Sequence, residues 1–171
     1  MIKDKKDSNK GDFCLNIEKL RNEYEKLKNN YALPEFLELN KTFDIEEIEP
    51  ETEFLLRKIR RYISEKIGGY MRFIEILLNP SNAPMFFFKL IKKLDNSDKE
   101  ALSVMYDTLG RIELETISLD LEYDEKKEAL FIRKLHDVFN QEIKKELLKI
   151  LKKLENGEDN RKKESNGSYF G

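Results

Sequence analysis

From Asp124 to Leu154 the chain places a residue able to face a core at every third or fourth position: Ala129, Ile132, His136, Phe139, Ile143, Leu147, Ile150 and Leu154. That spacing gathers all eight on one side of an α-helix and scatters them over both faces of a strand. No glycine or proline interrupts the stretch. A helix over roughly 124–155 would extend about 45 Å. Asp124 stands where an N-cap belongs, its carboxylate able to accept from the open amides of the first turn. Phe131, Leu135 and Val138 add a second apolar face, so the first half is expected to be buried on two sides. The second half has one stripe, suited to running free or pairing with a single helix.

Other stripes follow the same rule. Ile17, Leu20, Tyr24, Leu27 and Tyr31 predict a helix over about 14–30, with Asp12 as N-cap. Pro34 ends it, because Leu33 is pushed out of helical geometry. Residues 34–49 read as a connector with one or two helical turns, Asp44 and Glu47 having capping-box spacing. Pro50 suits the first position of a helix reaching about Leu78. Its stripe is Leu55, Ile59, Tyr62, Ile63, Ile67, Tyr70, Ile74 and Leu77, with Gly68-Gly69 in the middle. The glycines fit a kinked or closely crossed helix, a division into two helices, or a hinge. Pro84–Leu94 predicts a short basic amphipathic helix that either plugs the core or contacts a partner or a membrane surface. Ser97-Asp98-Lys99-Glu100 has the form of a capping box and opens a helix to about Leu121. Leu102, Met105, Leu109, Ile112, Thr116 and Leu119 make its core face. Ile117, Leu119, Leu121 and Tyr123 also alternate as in a strand, but no second strand offers a convincing partner.

These readings give an all-α fold, a bundle of four to five helices with two long ones at about 50–78 and 124–155. The seven glycines and four prolines among 171 residues agree with it. Residues 1–12 read as a disordered leader, 13–155 as a single helical domain and 156–171 as a disordered tail ending in the aromatic pair Tyr169 and Phe170.

Composition narrows the function. One cysteine, Cys14, excludes a disulfide framework and a cysteine-based zinc site; one histidine, His136, excludes a multi-histidine metal centre. A di-metal carboxylate bundle would want Glu three residues before that histidine, where Arg133 stands. Asp120, Glu122 and Asp124 resemble the opening of a calcium loop, but Glu125 occupies the glycine position and Phe131 the twelfth. No nucleophile–base pair or phosphate-cradling glycine loop is present, so the chain reads as a non-enzyme with no cofactor and no metal. His136 is expected to be structural. The N-terminus lacks an apolar signal segment, and no stretch approaches a membrane span. A cytoplasmic protein with no integral membrane association is expected.

Charge is blocked by sign. Residues 38–53 sum to −6, 57–93 to +7, 95–125 to −8 and 126–163 to +5. The blocks either face one another within the bundle or present fields to a partner. Arg57, Lys58, Arg60 and Arg61 form the densest basic cluster, a candidate contact for a partner or for phosphate oxygens. Tyr169 and Phe170 are a candidate tail motif for a partner's pocket, or a tail that folds back. The leading expectation is a helical interaction module, an adaptor or complex subunit that binds a protein. The alternative is a nucleic-acid-binding accessory protein using the helix around Arg57–Arg61.

Overall fold

The computed structural model describes residues 5–50 and 53–156. The fold is all-α, with no strand among the described residues. In chain order the helices are α1 (Lys5–Tyr31), α2 (Phe36–Phe43), α3 (Leu55–Leu78), α4 (Met85–Ile91), α5 (Asn96–Leu121), α6 (Glu125–Val138) and α7 (Lys144–Asn156). Short 3-10 turns occupy Ile45–Glu47 and Pro80–Asn82. A π-helical turn, Phe139–Ile143, joins α6 to α7 without a break, so the expected 124–155 helix exists with one wide turn in it.

Several boundaries differ from the sequence reading. Helix α1 begins at Lys5, so residues 5–12 of the expected disordered leader have helical backbone and Asp12 is not an N-cap. Residues 1–4 and 157–171, including Tyr169 and Phe170, lie outside the described residues. Helix α3 begins at Leu55 rather than Pro50, directly after Phe54, whose φ of 59° is left-handed. Asp44 does not cap the following turn through its side chain. It ends α2 in the left-handed conformation, its amide donating to Asn40 O at 2.7 Å, and its carboxylate accepts from Lys66 Nζ. The capping box of α5 forms two residues earlier than Ser97 and Glu100. Asp95 Oδ1 accepts from the Asp98 amide at 3.0 Å, and Asp98 Oδ2 accepts from the Asp95 amide at 2.9 Å. Asp124 does cap α6, accepting from the Lys127 amide at 2.8 Å. Residues Ile117–Leu121 are helical, the last turn of α5.

The described chain divides into two compact units. The first extends to Ile67 and resumes over Ile112–Asp137. Its core is Leu20, Tyr24, Leu39, Phe43, Ile45, Ile59, Ile63, Ile112, Phe131 and Ile132, all buried. Tyr24 Oη donates to Pro34 O at 2.7 Å and its ring meets Phe36 edge-on, which pins the α1–α2 turn. Burial, helped by Glu25 and Glu35, pushes that phenol's pKa well above its ordinary value. The second unit covers Gly68–Arg111 and resumes at Val138. Its buried residues include Ile74, Leu77, Leu102, Met105, Leu109, Phe139, Ile143, Leu147, Ile150 and Leu154. Lys153 Nζ donates to both Asp95 and Asp98, tying α7 to the start of α5. Lys153, then Ser97 and the Asp98 amide, hold the Asp95 carboxyl well below the usual carboxylate range.

Gly68 and Gly69 lie inside the unbroken helix α3, which excludes a division into two helices there. A Cβ added at either glycine would meet nothing within 4 Å, so close crossing does not explain them.

Candidate interaction surfaces

The basic cluster on α3 is turned to structural use. Arg60 stands four residues after Leu56 and three before Ile63, both buried, so its side chain enters the core of the first unit. There Nε donates to Glu128 Oε2 at 2.8 Å and Nη2 to Glu128 Oε1 at 3.3 Å, a fork on a carboxylate that is itself fully buried. Nη2 also reaches Asp120 Oδ1 at 2.8 Å. Burial alone would favour the neutral guanidine, but the bonds to Glu128 and Asp120 outweigh it and hold the Arg60 pKa above its ordinary value. Arg57 Nη2 donates to the carbonyls of Leu119 and Asp120 at 3.3 and 3.0 Å, satisfying acceptors that the end of α5 leaves open. Its guanidinium carbon also lies 5.0 Å from the centre of the Tyr123 ring. Arg61 is exposed and bonds Asp120 Oδ1 at 2.9 Å through Nε. Lys58 is half-buried on the same helix. The arginine cluster and the carboxylates Asp120 and Glu128 therefore form one network.

Asp120 and Asp124, the resemblance to a calcium loop, serve this network and the α6 cap respectively. His136 is half-buried, with Nδ1 3.5 Å from Asp137 Oδ1. Among the described residues, no group of three or more His, Cys, Asp or Glu is placed to hold a metal ion. No described helix is long and apolar enough to cross a membrane.

Among the described residues, apolar side chains cluster uncovered on α5 and on α4. On α5, Ile112, Thr116 and Leu119 face the core, and on the opposite side Leu114, Ile117 and Leu121 are exposed by 70, 50 and 81 %. Their i, i+3, i+7 spacing makes a straight stripe over two turns. This outer stripe explains the strand-like alternation of the segment: Leu119 belongs to the core, while Ile117 and Leu121 belong to the outside. Every charged residue over 112–125 is acidic: Glu113, Glu115, Asp120, Glu122, Asp124 and Glu125.

The second surface is α4. None of its residues is buried, so it does not plug the core as a small basic amphipathic helix could. An open apolar groove of ≈ 330 Å³ runs beside it, lined chiefly by Phe73, Phe86, Phe87, Leu90, Leu151 and Leu154. Met85 and Phe88 turn away from the groove, 77 and 39 % exposed.

In sequence, the Pro84–Leu94 segment is offered as a contact for a partner or a membrane surface, but the outer stripe of α5 is not. The available signal was an apolar residue standing off its helix's core stripe: Leu114, Ile117 and Leu121 on α5, Met85 and Phe88 on α4. Comparison with models of known families, with curated proteins and with solved structures finds no match to this chain.

Proposed function

We propose that this chain is a non-catalytic interaction module that presents the outer face of α5 to a protein partner. The observation that carries the reading is the exposed stripe of Leu114, Ile117 and Leu121, opposite a fully packed core face on the same helix. Helical faces with anchors at i, i+3 and i+7 lie in apolar grooves of other proteins. Exposed apolar surface concentrated in this way marks an interaction site more often than scattered single residues do. Glu115 and Asp120 are already paired with Lys134, Arg60 and Arg61, which leaves Glu113 and Glu122 beside the stripe to favour an apolar groove or helix face with a basic rim. Opposite charge would steer the encounter, and the three aliphatic side chains would supply the affinity.

The arginine cluster supports this reading over nucleic-acid binding. Arg60 is buried on Glu128, Arg57 bonds the end of α5, and Arg61 shares Asp120. A phosphate contact would have to compete with these bonds.

Photo-cross-linking tests the reading. A photoreactive side chain replacing Ile117 in the full chain should capture a basic protein in the source cell, and nuclease treatment should leave the product unchanged. The same probe replacing Arg61 should not capture it. The captured protein, purified, should then bind this chain with an affinity that falls as salt rises. Capture of a second copy of this chain alone, or of nothing, would overturn the proposal.

A further inference from the structure

We infer that the α4 face of the second unit is a docking surface for an anionic lipid bilayer. Met85 and Phe88 would enter the boundary between headgroups and acyl chains, and Lys89 and Lys92 would meet the headgroup phosphates. The inference shares no residue with the α5 surface and stands apart from the partner reading given above.

The geometry of α4 carries the argument. Phe87, Leu90 and Ile91 point inward and are half-buried, whereas Met85, Phe88, Lys89 and Lys92 occupy the outward side and are exposed. Met85 and Phe88 each stand four residues, about one turn, before a lysine, Lys89 and Lys92 respectively. That is the pattern of a helix lying in a membrane interface, apolar side chains inserted and lysines at phosphate level. Met85 and Phe88 are exposed and do not line the groove. A bilayer receives protruding side chains without a preformed pocket, while a protein partner would need a cavity shaped to each.

The charge around it is mainly basic, with Glu155 of α7 at the groove. No acidic residue occurs between Glu75 and Asp95. Residues 85–94 carry three lysines, and α7, which forms the far wall of the groove, carries five against Glu146 and Glu155. Some of these have partners within the unit: Lys93 donates to Leu154 O, Lys149 to Glu146 and Lys153 to Asp95 and Asp98. Lys89, Lys92, Lys144, Lys145 and Lys152 are exposed. Lys144, Leu148 and Lys152 repeat at four-residue steps beside Leu151, so another exposed aliphatic and two more ammonium groups run along the α4 side of α7. Juxtaposed lysines of this kind are drawn to the negative potential of anionic headgroups, and the attraction weakens with salt. A seven-residue helix offers only a small apolar area, so the inference is of reversible binding that needs both the apolar and the basic contribution.

Cosedimentation of the full chain with lipid vesicles tests this. Binding should be clear on phosphatidylcholine vesicles containing about 30 % phosphatidylserine and absent on phosphatidylcholine alone. It should fall steeply as sodium chloride is raised to about 0.5 M. Met85→Ser with Phe88→Ser, and separately Lys89→Glu with Lys92→Glu, should each reduce partitioning by about tenfold or more. Both pairs are on the surface, and circular dichroism should give an unchanged melting profile. Leu114→Ser with Leu121→Ser should leave vesicle binding intact, so that failure here and failure of the partner proposal are read separately. No binding to anionic vesicles, equal binding to neutral ones, or full binding by either variant pair would overturn the inference.

Discussion

Arg60 and Glu128, sixty-eight residues apart in sequence, meet through two hydrogen bonds of 2.8 and 3.3 Å with neither side chain exposed to solvent. The pair locks the start of α6 to α3 inside the first unit. A buried ion pair of this kind recovers its desolvation cost only while both members are present. Arg57 Nε approaches the same carboxylate at 3.8 Å, so Glu128 serves two guanidinium groups.

Removing one member should therefore be worse than removing both. Glu128→Leu alone leaves Arg60 buried with a partner missing and should cost about 3–5 kcal/mol. Arg60→Met alone should fall in the same range. The double variant should be more stable than either single one, because an apolar pair of similar volume has no charge to desolvate. Urea unfolding midpoints and slopes for the four proteins check this as a double-mutant cycle.

Asp120 gives the network a pH dependence. The bond from Arg60 first, opposed by burial and reinforced by Arg61, holds its carboxyl pKa at about 2 in the folded chain. Unfolded, the same group titrates near its ordinary value of about 3.9. Between those values the unfolded chain binds more protons, so stability rises with pH across the window. The contribution is complete above about pH 4 and is lost as pH falls towards 2. The side chain is 40 % exposed, and solvent screening keeps the effect small. Asp120→Asn should lower the urea midpoint by a constant amount above that window, and the difference from the parent should close within it.

Gly68, Gly69 and Gly110 stand inside helices with open space where a Cβ would go. Helical glycine is disfavoured because it loses more backbone freedom on folding than any other residue. Gly68→Ala, Gly69→Ala and Gly110→Ala should each stabilise the chain by about 0.5–1 kcal/mol. Thermal melts of the single variants check it. A loss of stability would mean that these positions need a conformation alanine resists.

Much of the architecture was legible because helical periodicity and burial are the same signal. All six residues read as the core face of α5 are buried, and so are Ala129, Ile132, Phe139, Ile143, Leu147, Ile150 and Leu154 along α6 and α7. Local chemistry was legible where one choice existed, as at Asp124. It misled where two caps of similar form overlapped. Asp95 with Asp98 and Ser97 with Glu100 offer the same reciprocal spacing, and Lys153, a tertiary partner fifty-five residues on from Asp98, bonds both members of the first. Arg60 was read by charge type, with Arg57, Lys58 and Arg61, as a contact for a partner or phosphate or as a pair for acids within the bundle. Its place between Leu56 and Ile63 on the apolar side was the better guide, but only the fold brings Glu128 to meet it. The outer stripe of α5 stayed hidden because apolar residues were assigned inward by default. Surface function breaks that rule: Ile117 and Leu121 register in sequence only as an apparent conflict between helix and strand, and Leu114 does not register at all.

The central claim is that this stripe binds a basic protein partner. Titration calorimetry with the partner captured through position 117 tests it most directly, comparing the parent chain with Leu114→Ser/Leu121→Ser. Both leucines are exposed, so the variant should melt like the parent. Two aliphatic anchors lost from an interface should weaken binding by about a hundredfold or more. An unchanged dissociation constant in a variant that is still folded would contradict the account.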